Sequence, residues 1–234
     1  MESIALIVCF FTFLFTLYGL SKDDFILLRK NISMDQVFNI SIIAMVVGLF
    51  FARALYVANH FTVSFLNPLV FLALPYFPGI SIVGGVIGFV VFILYFASVQ
   101  KVPTQRLFDF STVSLLVAMG VGYVLQIALH LIRKKPLPFL EYITPLVLLV
   151  LTLVFFFLLL PRYRRGEMKD AHLGLVFLAC FFASTLLTDI LENGKKLLIV
   201  MGVEGLLSLG ILIFALSLLL KKERKVIKFS KIRI

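Results

Sequence analysis

The chain has 234 residues, of which 62% are hydrophobic and 15% charged, and it carries a net charge of +10. That leaves too little polar material to cover a water-facing surface, which excludes an ordinary soluble globular domain. The Lys and Arg residues flank apolar segments and form no folded basic face, which argues against a nucleic-acid partner.

Seven apolar runs, each long enough to cross about 30 Å of hydrocarbon, are predicted at 3–20, 36–58, 81–100, 108–132, 142–161, 172–191 and 197–220. They should be helices, because lipid offers no partner to an open backbone N–H or C=O. The run from Leu146 to Leu160 is apolar all round, where a barrel strand would alternate. The fold class is therefore an all-α polytopic membrane protein, with residues 1–220 as a single transmembrane helical domain and 221–234 as a basic tail. The first segment opens Met1-Glu2-Ser3, without a basic n-region or a small-residue cleavage site, and is expected to remain as helix one. Cys9 and Cys180 lie inside apolar segments and read as small buried hydrophobes, so no disulfide framework, metal site or cofactor is implied.

Basic residues gather on one side of the spans: Lys22, Arg29, Lys30, Lys101, Arg106, Arg162, Arg164, Arg165, Lys169 and the tail from Lys221. The positive-inside rule makes that side cytoplasmic and places the N-terminus outside. The tail suits anionic headgroups.

Ionisable groups within a bilayer are site candidates by default. Arg53 lies near the outer end of the second span with Tyr56 on the same helix face, and its plainer role would be snorkelling to the headgroups. Four glycines fall between Gly79 and Gly88, in a stretch that includes Ser81, Gly84 and Gly85. Such a stretch serves close approach of a headgroup or plain helix packing. Tyr123, Gln126 and His130 form one stripe of the fourth span. Asp189 and Glu192 on the sixth and Glu204 on the seventh stand at the same outer end. Together they predict an outward-facing polar cavity between helices.

These landmarks resemble those of the prolipoprotein diacylglyceryl transferases, which move the diacylglyceryl group of phosphatidylglycerol onto the lipobox cysteine of secreted precursors. Gly48 to Val57 resembles the family's Gly-Gly-Arg-x-Gly-Tyr-Val stretch, with Arg53 and Tyr56 matching. Asn67-Pro68-Leu69 is similar to the Asn/Asp-Pro-Leu that follows, and Gly79 to Gly88 resembles the signature Gly-Met-Ser-Phe-His-Gly-Gly-Leu-Ile-Gly. Val83 stands in place of the signature histidine, and Tyr123, Gln126 and Leu129 replace an arginine and two asparagines of a later motif.

The resemblance implies a seven-helix protein of the bacterial plasma membrane, with a phosphatidylglycerol-like lipid and lipobox-bearing precursors as partners. Carried over onto this sequence, it implies Arg53, Tyr56, Ser81, Gly84, Gly85, Tyr123 and Gln126 on the substrate, His130 as a relocated base, and Asp189 or Glu204 to orient that base. Three readings follow: a divergent transferase, a relative that binds lipid or protein without catalysis, and a transporter. Inverted repeats and midplane charge, expected of the last, are not evident in the sequence.

Overall fold

Helix starts in this chain are set by side chains that accept from free backbone N–H groups. Ser33 Oγ accepts from the Gln36 N–H at 3.2 Å while Gln36 Oε1 accepts from the Ser33 N–H at 3.4 Å, a capping box that opens a 26-residue helix. Ser81 Oγ accepts from the Gly84 N–H at 3.0 Å and opens the next long helix. Asp24 accepts from the N–H groups of Ile26 and Leu27 and opens a short one.

The computed structural model describes residues 2–61, 65, 67–72, 79–132, 139–166, 168–193 and 203–230; for 2–5, 69, 72, 130, 139–145, 192–193 and 223–230 the description is of the backbone alone. Its elements are α1 (Glu2–Ser21), α2 (Phe25–Arg29), α3 (Met34–Asn59), α4 (Pro68–Leu72), α5 (Ile82–Val99), α6 (Thr104–Ile132) and α7 (Phe139–Val154). A π-helical turn, Phe155–Leu159, then leads into α8 (Leu160–Arg164), followed by α9 (His172–Asn193) and α10 (Val203–Ser230). Among the described residues six helices are long and apolar enough to cross a membrane, and Leu6–Ser21 forms a shorter apolar one. No strand occurs among the described residues.

Each of the seven predicted spans corresponds to a helix. The last one runs on to Ser230, through the basic residues from Lys221. Lys, Arg and Glu are good helix formers, so loss of hydropathy there does not end the helix. The predicted start of that span, at 197, lies outside the described residues.

α3 packs along α5, α1 along α6 and α9 along α10, while α6 also meets α5, α7 and α9. Phe13, Ile40, Phe89, Ile93, Leu116 and Phe181 are among the side chains that fill the core. The helix directions alternate, so two ends can be named by their arginines. α5 leaves the Arg53 end at Ile82 and, at about 1.5 Å per residue, reaches the Arg106 end roughly 27 Å later.

Candidate functional site

Arg53, in the penultimate turns of α3, is 2% exposed. Its Nε–H donates to the Phe71 carbonyl at 2.9 Å and an Nη1–H to the Gly79 carbonyl at 2.7 Å, with a long contact of 3.5 Å from Nη2 to the Val70 carbonyl. Val70 and Phe71 stand in the last turn of α4, whose last carbonyls have no partner within so short a helix. The guanidinium also stands 5.1 Å from the Phe65 ring and 5.6 Å from the Tyr56 ring, within cation–π range. It does not snorkel. Its planar fork gathers α4 and the approach to α5 onto α3.

Gly79 completes this cradle. Its φ of +139° is open only to glycine among common residues, and a Cβ there would run into the Tyr56 ring. Two residues on, the Ser81 N–H donates to the Ala52 carbonyl at 2.9 Å, so the start of α5 is bonded to the residue before Arg53.

The glycine-rich segment brings α5 against α3 at backbone distance. A Cβ on Gly84 would lie 2.7 Å from the Phe51 carbonyl oxygen, one on Gly88 2.5 Å from Phe51 Cβ, and one on Gly48 3.0 Å from the Gly85 carbonyl oxygen. This is small-residue packing between membrane helices. Val83, at the signature histidine's position, is 7% exposed and belongs to the apolar core. It offers no proton acceptor.

Beside this seam lies a groove of about 520 Å³ between α1, α3, α5 and α6. Phe10, Met45, Leu49, Phe89 and Met119 form its walls, and Ser81 and Gly85 line it next to the Arg53 cradle. Among the described lining residues Ser81 carries the one polar side chain. The groove reaches Ala52 and Ser81, whose backbones are bonded to each other beside the Arg53 cradle.

The remaining predicted residues stand on helix segments toward the same end. Tyr123, half-buried on α6, packs against the core, where Gly122 brings α6 close to Cys9 of α1. Gln126 is exposed one turn further along α6. Asp189 is partly buried in the last turns of α9. Glu204, in the first turn of α10, accepts from Asn59 Nδ2 at 2.9 Å, which links α10 to the end of α3. The side chains of His130 and Glu192 lie outside the described residues.

Sequence reasoning missed a second polar cluster, at the Arg106 end. Arg106 donates from Nε to Asp24 Oδ2 at 3.0 Å and from Nη1 to Asp170 Oδ1 at 2.7 Å, and its guanidinium lies 4.4 Å from the Tyr163 ring. The Tyr163 hydroxyl donates to Asp170 Oδ1 at 3.3 Å, and Lys222 Nζ donates to the Asp170 carbonyl. Asp109, wholly buried on α6, accepts from the N–H groups of Ala171 at 2.6 Å and Gly174 at 2.7 Å and so caps the start of α9 from a neighbouring helix. It also holds Ala171 at a φ of +61°. The available signal was a carboxylate inside an apolar run, Asp109 between Phe108 and Phe110.

Packed apolar helices and glycine-mediated seams define a multi-pass helical membrane protein. The family model described as prolipoprotein diacylglyceryl transferase matches residues 3–124, just over half of the chain, and the protein belongs to that family. The match takes in α1 to α5 and most of α6, with Arg53, Tyr56, Ser81, Gly84, Gly85 and Tyr123, and ends before Gln126, His130, Asp189 and Glu204. No curated protein and no solved structure matches the chain.

Proposed function

We propose that this family member binds a phosphatidylglycerol-like lipid in the groove between α1, α3, α5 and α6, with an acyl chain along the walls and the phosphate at the Arg53 end. The supporting observation is the adjacency of the 520 Å³ apolar groove, through Ser81, to a buried guanidinium. Three N–H groups of Arg53 face backbone carbonyls. A guanidinium has five, so two have no partner among the described residues and are offered to a phosphate oxygen. Tyr56, Ser81, Gly84 and Gly85 shape the head of this site, and Tyr123 and Gln126 extend it along α6. In this reading the protein sits in a bacterial plasma membrane with its Arg53 end outward and its basic Arg106 end in the cytoplasm, as its charge distribution favours.

Binding is tested by adding phosphatidylglycerol or phosphatidylcholine to the detergent-solubilised protein and following thermal stability. Phosphatidylglycerol should raise the midpoint more, and Val46→Trp, on a groove residue that is 64% exposed, should remove the difference. Equal shifts with both lipids would reject the site.

Family membership supports a second reading, diacylglyceryl transfer to a lipobox cysteine. The thiol must lose its proton as sulfur attacks the glyceryl carbon and the phosphate ester leaves. With valine at position 83, that proton acceptor would be His130, oriented by Asp189 or Glu204. Transfer of a labelled diacylglyceryl group to a lipobox peptide, abolished by both Arg53→Ala and His130→Ala, would support it. Phosphatidylglycerol binding without turnover would leave a family member that holds lipid and does not transfer it.

A further inference from the structure

A larger cavity, about 790 Å³, lies between α5, α6, α9 and α10 and extends to Gln105, Lys221 and Lys222 at the Arg106 end. Its walls are apolar, with Val90, Leu94, Leu178, Phe182 and Phe214 among them. Its polar members, Gln105, Lys221 and Lys222, are confined to one end. Gln105 and Lys222 also line a second, polar cavity of about 510 Å³, in which Arg106, Arg164 and Lys169 add three cations and Asp170 one carboxylate. The two cavities thus share a rim, greasy on one side and basic on the other.

We propose that this rim and groove form a binding site for an anionic phospholipid, separate from the Arg53 end. The acyl chains lie in the 790 Å³ groove, within the roughly 300–1,000 Å³ typical of small-molecule sites. The phosphate meets Lys221, Lys222 and Gln105 where the two cavities join. Lys222 gives one N–H to the Asp170 carbonyl, and its other two have no hydrogen-bond partner among the described residues. Lys221 is exposed beside it. Asp24 and Asp170 take up Arg106, and Asp109 lies behind α9's first turn, so the charge left over among the described rim residues is positive. Charge complementarity singles out an anionic head, and the confinement of the polar groups to one end singles out an amphiphile. The occupant is therefore a lipid from the leaflet at that end.

The absence of tryptophan from the chain permits a direct test. Phe214→Trp, at a groove residue that is 62% exposed, places a single reporter in this site, and Phe11→Trp, at a residue that is 63% exposed, places one in the other. Full-length protein carrying either reporter is reconstituted with brominated phosphatidylglycerol or brominated phosphatidylcholine, and quenching is compared. The Phe214→Trp reporter should favour phosphatidylglycerol, and Lys221→Gln and Lys222→Gln should each lower that preference by about 5-fold or less. The Phe11→Trp reporter should not respond to the lysine changes. Lys221→Gln, at an exposed side chain, keeps the test valid if Lys222→Gln unfolds the protein. Equal quenching by both lipids, a preference unmoved by the lysines, or a reporter shielded from both lipids by another protein surface would each overturn the proposal.

Discussion

The Asn59 side-chain amide donates to Glu204 Oε1 at 2.9 Å and thereby joins the last residue of α3 to the first turn of α10. These residues are 145 positions apart, and the bond is a polar tie between the part of the chain that the family model matches and the part it does not. A double-mutant cycle with Asn59→Ala and Glu204→Gln should give a coupling of about 0.5–1.5 kcal/mol in reversible unfolding. Additive effects would mean that the contact contributes nothing.

Glycine substitutions should divide by what a Cβ meets. Gly79→Ala combines a forbidden φ with the Tyr56 ring, and Gly84→Ala sets a methyl 2.7 Å from a backbone oxygen that cannot move aside. Each should cost at least about 2 kcal/mol. Gly210→Ala, with open space around it, should change thermal stability little or raise it. Equal effects at all three positions would refute the packing account of the seam.

The spans were legible because hydropathy sets them directly, and the candidate end was legible because Arg53, Asp189 and Glu204 are costly residues in apolar surroundings. What Arg53 touches was not. Its partners are the carbonyls of Val70, Phe71 and Gly79, and a carbonyl has no signature in a sequence. The Arg106 cluster was hidden for another reason. Asp24, Arg106 and Asp170 stand at the ends of different segments, where charge reads as topology, and only the packing of α6 and α9 brings them together.

Arg53→Lys should fail to replace arginine. A single ammonium cannot span carbonyls on α4 and at Gly79 with the fixed geometry of the fork. The expected loss is about 1–3 kcal/mol, for carbonyls left without donors. Thermal stability in detergent checks it, and wild-type stability in the lysine variant would show that charge alone suffices.

Asp109→Ala removes the acceptor for two N–H groups at the start of α9, with a predicted cost of about 2–4 kcal/mol. Asp109→Asn keeps one acceptor oxygen where the carboxylate uses two and should fall between wild type and alanine. Amide hydrogen exchange at Ala171 to Leu175 should rise in the same order. An asparagine variant as poor as alanine would point to the charge, and not the cap, as the stabilising feature.

Occupancy of the groove beside Arg53 by a phosphatidylglycerol-like lipid is tested most directly by crosslinking. Phosphatidylglycerol carrying a photoreactive acyl chain is equilibrated with the purified protein, irradiated, and the labelled residues are mapped. The account predicts labelling concentrated on Phe10, Val46, Leu49 and Phe89, lost on competition with unlabelled phosphatidylglycerol and spared by phosphatidylcholine. Labelling spread evenly over the lipid-facing residues of all the helices, or displaced equally by both lipids, would contradict it.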